Sequence, residues 1–98
     1  MFNGGFIMTK DKVLNVIELY REKLLSLNIR EISFPHKDIF PQRNDILGHC
    51  LGMLDDMISF IKDERLEKAL RWLGFIQGCF WTLGLYSVEE LKNHNKPN

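Results

Sequence analysis

The stretch Arg71-Trp72-Leu73-Gly74-Phe75-Ile76-Gln77-Gly78-Cys79-Phe80-Trp81 decides the fold. It holds both tryptophans of the chain, two of its seven phenylalanines and one uncharged amide, with two glycines four residues apart. Wound at helical pitch, it makes a cylinder apolar over about two thirds of its circumference, whereas a surface helix needs a stripe only somewhat wider than ~100°. Such a helix must be covered on more than one side, by the rest of the chain and by a neighbouring molecule.

Reading outward, the helix is predicted over residues 64–83, with Gly84 at the position that commonly turns left-handed after a helix. Upstream, Leu47, Cys50, Leu51, Leu54, Met57, Ile58 and Ile61 recur at helical spacing and predict a helix over 42–62, with Asn44 and Asp45 in its first turn. Between the two, Asp63 can cap, and the apolar faces on either side differ by roughly 90° at 100° per residue. The break therefore predicts an antiparallel helical hairpin, against one long bent helix.

Thr9 can cap a first helix over 9–28, in which Val13, Ile17, Tyr20, Leu24 and Leu27 form the apolar stripe and Asn28 suits the position just past the end. Residues 29–41 contain Pro35 and Pro41 and read as an extended connector, with a short strand at 30–34 as an option. Ser87-Val88-Glu89-Glu90 has the pattern of a capping box, which predicts a short fourth helix over 87–93 and a frayed tail after it. Residues 1–8 read as a loose leader, and Met8-Thr9-Lys10 offers a second, internal start as an alternative to Met1. The expectation is one all-α domain over residues 1–98: a small bundle built on the hairpin, with the first helix laid across it.

At 98 residues with 45% hydrophobic and 27% charged content, the chain supports a single small core. Thirteen basic residues balance thirteen acidic ones, so no global field gathers nucleic acid or an anionic membrane, and neither is expected as a partner. The uncharged run from Trp72 to Val88 is short for a membrane span and is broken by Gln77, Thr82 and glycines. With no secretory signal ahead of the first helix, the expected compartment is the cytoplasm. Cys50 and Cys79 lie in helical patterns and read as reduced core residues, without the spacing of a zinc or redox motif.

Two small-xxx-small pairs stand out, Gly48/Gly52 and Gly74/Gly78, which a hairpin turning at Asp63 sets at equal heights. Glycine inside a helix costs about 1 kcal/mol against alanine, so they suggest close approach by another backbone or a ligand. Trp72 and Trp81 are nine residues apart, on opposite edges of their helix, with Leu66, Leu73, Ile76 and Phe80 expected to face the core. Gln77 reads either as a satisfied core amide or as a specificity contact. Asp45, His49 and Asp56 superficially suggest a metal site, but on one helix they do not close a coordination sphere, and a surface hydrogen bond between Asp45 and His49 is the better reading. No nucleophile and base are fixed near each other, so no catalytic residue, metal or cofactor is expected. The expected binding residues are Arg71, Trp72, Gly74, Gln77, Gly78 and Trp81: arginine to meet a phosphate, tryptophan to stack on a base, glycines to let either come close.

The run Arg71 to Gly78, followed by Trp81, Gly84, Glu90-Leu91-Lys92 and Asn95-Lys96-Pro97, resembles a group of small proteins of tailed bacteriophages and prophages, over roughly residues 45 to 97. The resemblance implies an origin, and the host cytoplasm as the place of action, and it carries no activity or site residues with it. Phage accessory proteins of this size commonly act by binding. The function expected is therefore a non-enzymatic accessory protein that sequesters a small nucleotide-like signal of host defence or blocks a host protein. The alternative is an assembly module that makes homo-oligomers through the third helix.

Overall fold

In the computed structural model, which describes residues 2, 5 and 7–97, the chain is an all-α bundle of four helices: α1 (Lys10–Ser26), α2 (Arg43–Lys62), α3 (Leu66–Thr82) and α4 (Val88–Asn95). Each start follows from local chemistry. The Thr9 hydroxyl accepts from the Lys12 amide at 3.1 Å at the head of α1. At α2 the Asp45 carboxylate accepts from the Gln42 amide at 2.9 Å. At α4, Ser87 and Glu90 form the reciprocal capping box, at 3.1 and 3.0 Å.

Three helices stop in the same way, on one left-handed residue: Asn28 (φ 60°) after α1, Glu64 (φ 59°) after α2 and Gly84 (φ 77°) after α3. In each case the next amide reaches back to the last turn, Ile29 to the Leu24 carbonyl, Arg65 to Phe60 and Leu85 to Phe80. The hairpin turn therefore sits on Glu64, a residue with no special freedom for that conformation. Asp63 closes α2 and does not cap α3, whose first residue follows Arg65.

α2 and α3 make the largest helix contact, with α1 laid on α2 and α4 returning to α1. Val13, Ile17, Tyr20 and Leu24 from α1, Leu47, Leu54 and Met57 from α2, Leu73, Ile76 and Phe80 from α3 and Leu91 from α4 fill the core. Leu66 stays at its edge. Arg21 and Asp55 add a half-exposed ion pair between α1 and α2. Phe2 and Met8 are also buried, so the segment expected as a loose leader is anchored at both. Met1, Asn3, Gly4 and Phe6 of that expected leader lie outside the described residues.

The connector forms no strand, having no second extended segment beside it. Its backbone link to α2 is the Ile32 amide donating to the Gly48 carbonyl at 3.2 Å. Here the glycines find their reason. A Cβ on Gly48 would collide with the Arg30 carbonyl and the Ile32 side chain, and one on Gly52 would press on Glu31 at 3.3 Å. These two glycines let the connector lie on α2. They do not meet Gly74 and Gly78, where a Cβ would find nothing within 4 Å. No described helix is long and apolar enough to cross a membrane.

Candidate functional site

α3 turns Ala69, Leu73, Ile76, Gln77 and Phe80 inward. The residues left outside are unusually bulky and apolar: Phe75 and Trp81 are 56% and 54% exposed. Between them Gly74 and Gly78 present bare backbone. Together with Phe2, Ile46, Cys79, Thr82 and Leu83 these four residues line a shallow hollow of about 410 Å³. Of the six residues expected from the sequence, Gly74, Gly78 and Trp81 come together here.

The other three lie elsewhere. Arg71 is one turn back on the exposed face, where its guanidinium donates to Glu67 at 3.2 Å, and it does not line the hollow. Trp72 packs edge-on against Phe60 of α2 at 4.7 Å between ring centres, with the Lys68 ammonium over both rings. Gln77 is inside the core at 1% exposure.

Gln77 belongs to a buried polar network that ties three helices. Its Nε2 donates to the Tyr20 hydroxyl and to Asn95 Oδ1, both at 2.9 Å, and its Oε1 accepts from Asn95 Nδ2 at 3.1 Å. With its oxygen accepting from Gln77, Tyr20 has its own proton free to donate to His94 Nδ1, 2.9 Å away. That assigns neutral His94 its proton on Nε2. The His94 ring lies edge-on to Tyr20 and to Tyr86. Burial raises the Tyr20 hydroxyl pKa well above its ordinary range, against the opposing pull of the Gln77 bond. Burial likewise lowers His94, with Glu90 pulling it up and Lys12 pushing it down. Among the described residues no buried side-chain nitrogen or oxygen lacks a partner.

A second concave region lies where the connector meets α2. Phe34, Pro35, His36, Asp38, Asp45, His49 and Phe75 take part in lining a hollow of about 310 Å³. The His36 and His49 rings stand 6.3 Å apart, and on their other side Glu31, Asp56 and Trp72 border a further hollow of about 500 Å³. The expected bond between Asp45 and His49 is replaced by two others: Asp45 caps α2, and His49 Nδ1 accepts from the Phe34 amide at 3.3 Å. No group of three or more His, Cys, Asp or Glu among the described residues is placed to hold a metal ion.

Cys50 of α2 is at 0% exposure, and Cys79 of α3 is half-buried. The influence of the Cys50 thiol lowers the Cys79 pKa against the opposing effect of burial, while Cys79 together with burial raises Cys50.

Comparison with protein-family models, with curated proteins and with solved structures finds no match. The functional reading accordingly rests on the geometry. Phe2, Ile46, Phe75, Cys79, Thr82 and Leu83 line the α3 hollow without belonging to the sequence-derived set. Phe75 had a readable signal, since at 100° per residue it falls beside Arg71 and Thr82 on the outer arc of the wheel.

Proposed function

We propose that this protein acts by binding and not by catalysis, and that its working surface is the outer face of α3, which takes protein partners, beginning with a second copy of itself. The observation that carries this reading is the pair of half-exposed rings, Phe75 and Trp81, flanking the bare backbone of Gly74 and Gly78. Large aromatic rings beside a groove that admits another backbone are what a protein interface core uses.

The surface is also complementary to itself. Two copies of α3 packed antiparallel, Gly74 against the second copy's Gly78, bring Arg71, three residues before the first glycine, against Trp81, three residues after the second. A guanidinium over an indole is a favourable contact, and twofold symmetry makes it twice. Capture of a nucleotide-like signal fits this hollow less well, because its walls are mainly apolar and no arginine lines it. A phage accessory protein that blocks a host protein would use the same surface, exchanging one partner for another.

Emission from Trp81 in a Trp72→Phe background tests the reading. Assembly buries the indole, so the emission should shift to shorter wavelength as concentration rises into the micromolar range. A sedimentation profile that stays monomeric there, with emission unchanged, would remove the self-partner. A shift induced by a nucleotide panel instead would restore the small-ligand reading.

A further inference from the structure

We propose that Ile39 and Phe40, at the end of the connector, form a docking knob that packs on Phe75 of a second copy, so that each copy completes the other's interface. The proposal rests on the reading of the α3 face as a surface for self-association, and it names what covers that face beyond the helix itself.

The knob is anomalous on two counts. Ile39 and Phe40 are 71% and 85% exposed, an apolar pair held out in water. Phe40 also sits at φ 61°, in the left-handed region that a bulky side chain avoids, and directly before Pro41, where a residue favours extended backbone. The other described non-glycine residues at positive φ, Asn28 and Glu64, each end a helix, and Phe40 ends none. Strain of this kind is kept where a contact makes use of it.

The knob stands beside the α3 face. Pro41 lines one hollow together with Phe75 and Ile46, and Phe75 and Ile46 also line the α3 hollow. Two residues further on, the Arg43 guanidinium donates to the Leu83 carbonyl at 2.9 Å and ties the start of α2 to the end of α3. In the antiparallel pairing that sets Gly74 against the second copy's Gly78, the twofold axis passes level with Ile76, next to Phe75. What stands beside Phe75 in one copy therefore faces Phe75 of the other.

Area supports the same arrangement. Phe75 and Trp81 leave roughly 250 Å² of ring surface open. That is about a third of the ~800 Å² each partner buries in a standard stable interface. Ile39 and Phe40 roughly double it.

The test uses the full-length chain. Sedimentation of the parent and of Phe40→Gly across the micromolar range should give dissociation constants at least about tenfold apart, the loss of one interface anchor. Glycine suits a left-handed position, so at low concentration Phe40→Gly should melt at or above the parent's temperature. With photoreactive benzoylphenylalanine in place of Phe40, and isotope-labelled copies mixed with unlabelled ones, irradiation should join position 40 to the tryptic peptide 72–92 of the opposite copy. If the parent assembles and Phe40→Gly assembles equally well, the knob is overturned and the α3 face stands. If the parent stays monomeric, the self-association reading fails and the knob fails with it. A lower melting temperature for Phe40→Gly at low concentration, or crosslinks confined to one chain, would show that the ring serves its own fold and would also overturn the proposal.

Discussion

The side-chain amides of Gln77 and Asn95 face each other and exchange two hydrogen bonds, 2.9 Å one way and 3.1 Å the other, at a point where neither residue is more than 1% exposed. The pair closes α4 onto α3, and the second Nε2 hydrogen of Gln77 extends it to Tyr20 of α1. Replacing one member strands the other. Gln77→Leu should cost roughly 1–3 kcal/mol for each buried polar group left without a partner. Gln77→Leu combined with Asn95→Leu should lose less than the sum of the single changes, and chemical denaturation of the four proteins in the cycle measures the difference. Strict additivity would mean that the pair contributes nothing as a pair.

The two glycine pairs should respond oppositely to alanine. Gly48→Ala drives a methyl into the Arg30 carbonyl, which the connector can relieve only by lifting off α2, and should cost about 1–3 kcal/mol. Gly78→Ala meets open space in the single chain and should stabilise α3 by something under ~1 kcal/mol. Thermal melts at low concentration compare them in the absence of self-association.

Gly74→Leu separates fold from assembly. The side chain has room in one chain but fills the space where a second backbone would lie. The expected outcome is a melting temperature equal to or above the parent's at low concentration, and loss of the concentration-dependent rise expected of the parent. Trp81→Ser should remove that rise too, by deleting the ring instead of blocking the groove. Both measurements need only melts at two concentrations and a sedimentation run.

His94 should make stability depend on pH. Burial lowers its pKa in the folded protein below the ordinary value of 6.5, Glu90 opposing and Lys12 reinforcing the shift. The unfolded chain therefore takes up the proton first. Stability from this group is complete above about pH 6.5 and is lost as the pH falls from there through the lower folded value. Protonation also turns Nδ1 into a donor, so the Tyr20 proton loses its acceptor. His94→Gln should flatten this part of the profile, read as the denaturation midpoint between pH 7 and pH 5. An unchanged slope would assign the dependence to other groups.

Much of the fold was legible because it rests on short-range chemistry. Thr9, Ser87-Glu90 and Gly84 mark helix ends through bonds within one turn, and the stripe of Leu47, Leu54 and Ile61 names the inner face of α2 without reference to anything else. The hairpin turn was legible only as a change of face. Its left-handed residue is Glu64, which no preference singles out. The site was harder to read because its parts are set by tertiary contacts. Gly48 and Gly74 have the same local pattern, and only the path of the connector separates a glycine that is needed from one that is exposed. Gln77 could equally have pointed outward; what pins it inside is Asn95, in a tail expected to fray.

The bond between Tyr20 and His94 spans 74 positions of sequence, and it has a consequence for how the protein is made. α1 is made before α4, yet the hydroxyl of its buried Tyr20 has its full set of partners only once Gln77 and His94 have both been synthesised. α4, at eight residues, is too short to hold as a helix by itself. The first three helices can therefore collapse during translation, but they must wait with an unfinished, water-accessible seam around Tyr20 until α4 arrives to close it. A chain truncated before residue 88 should thus be far less resistant to protease than the full chain.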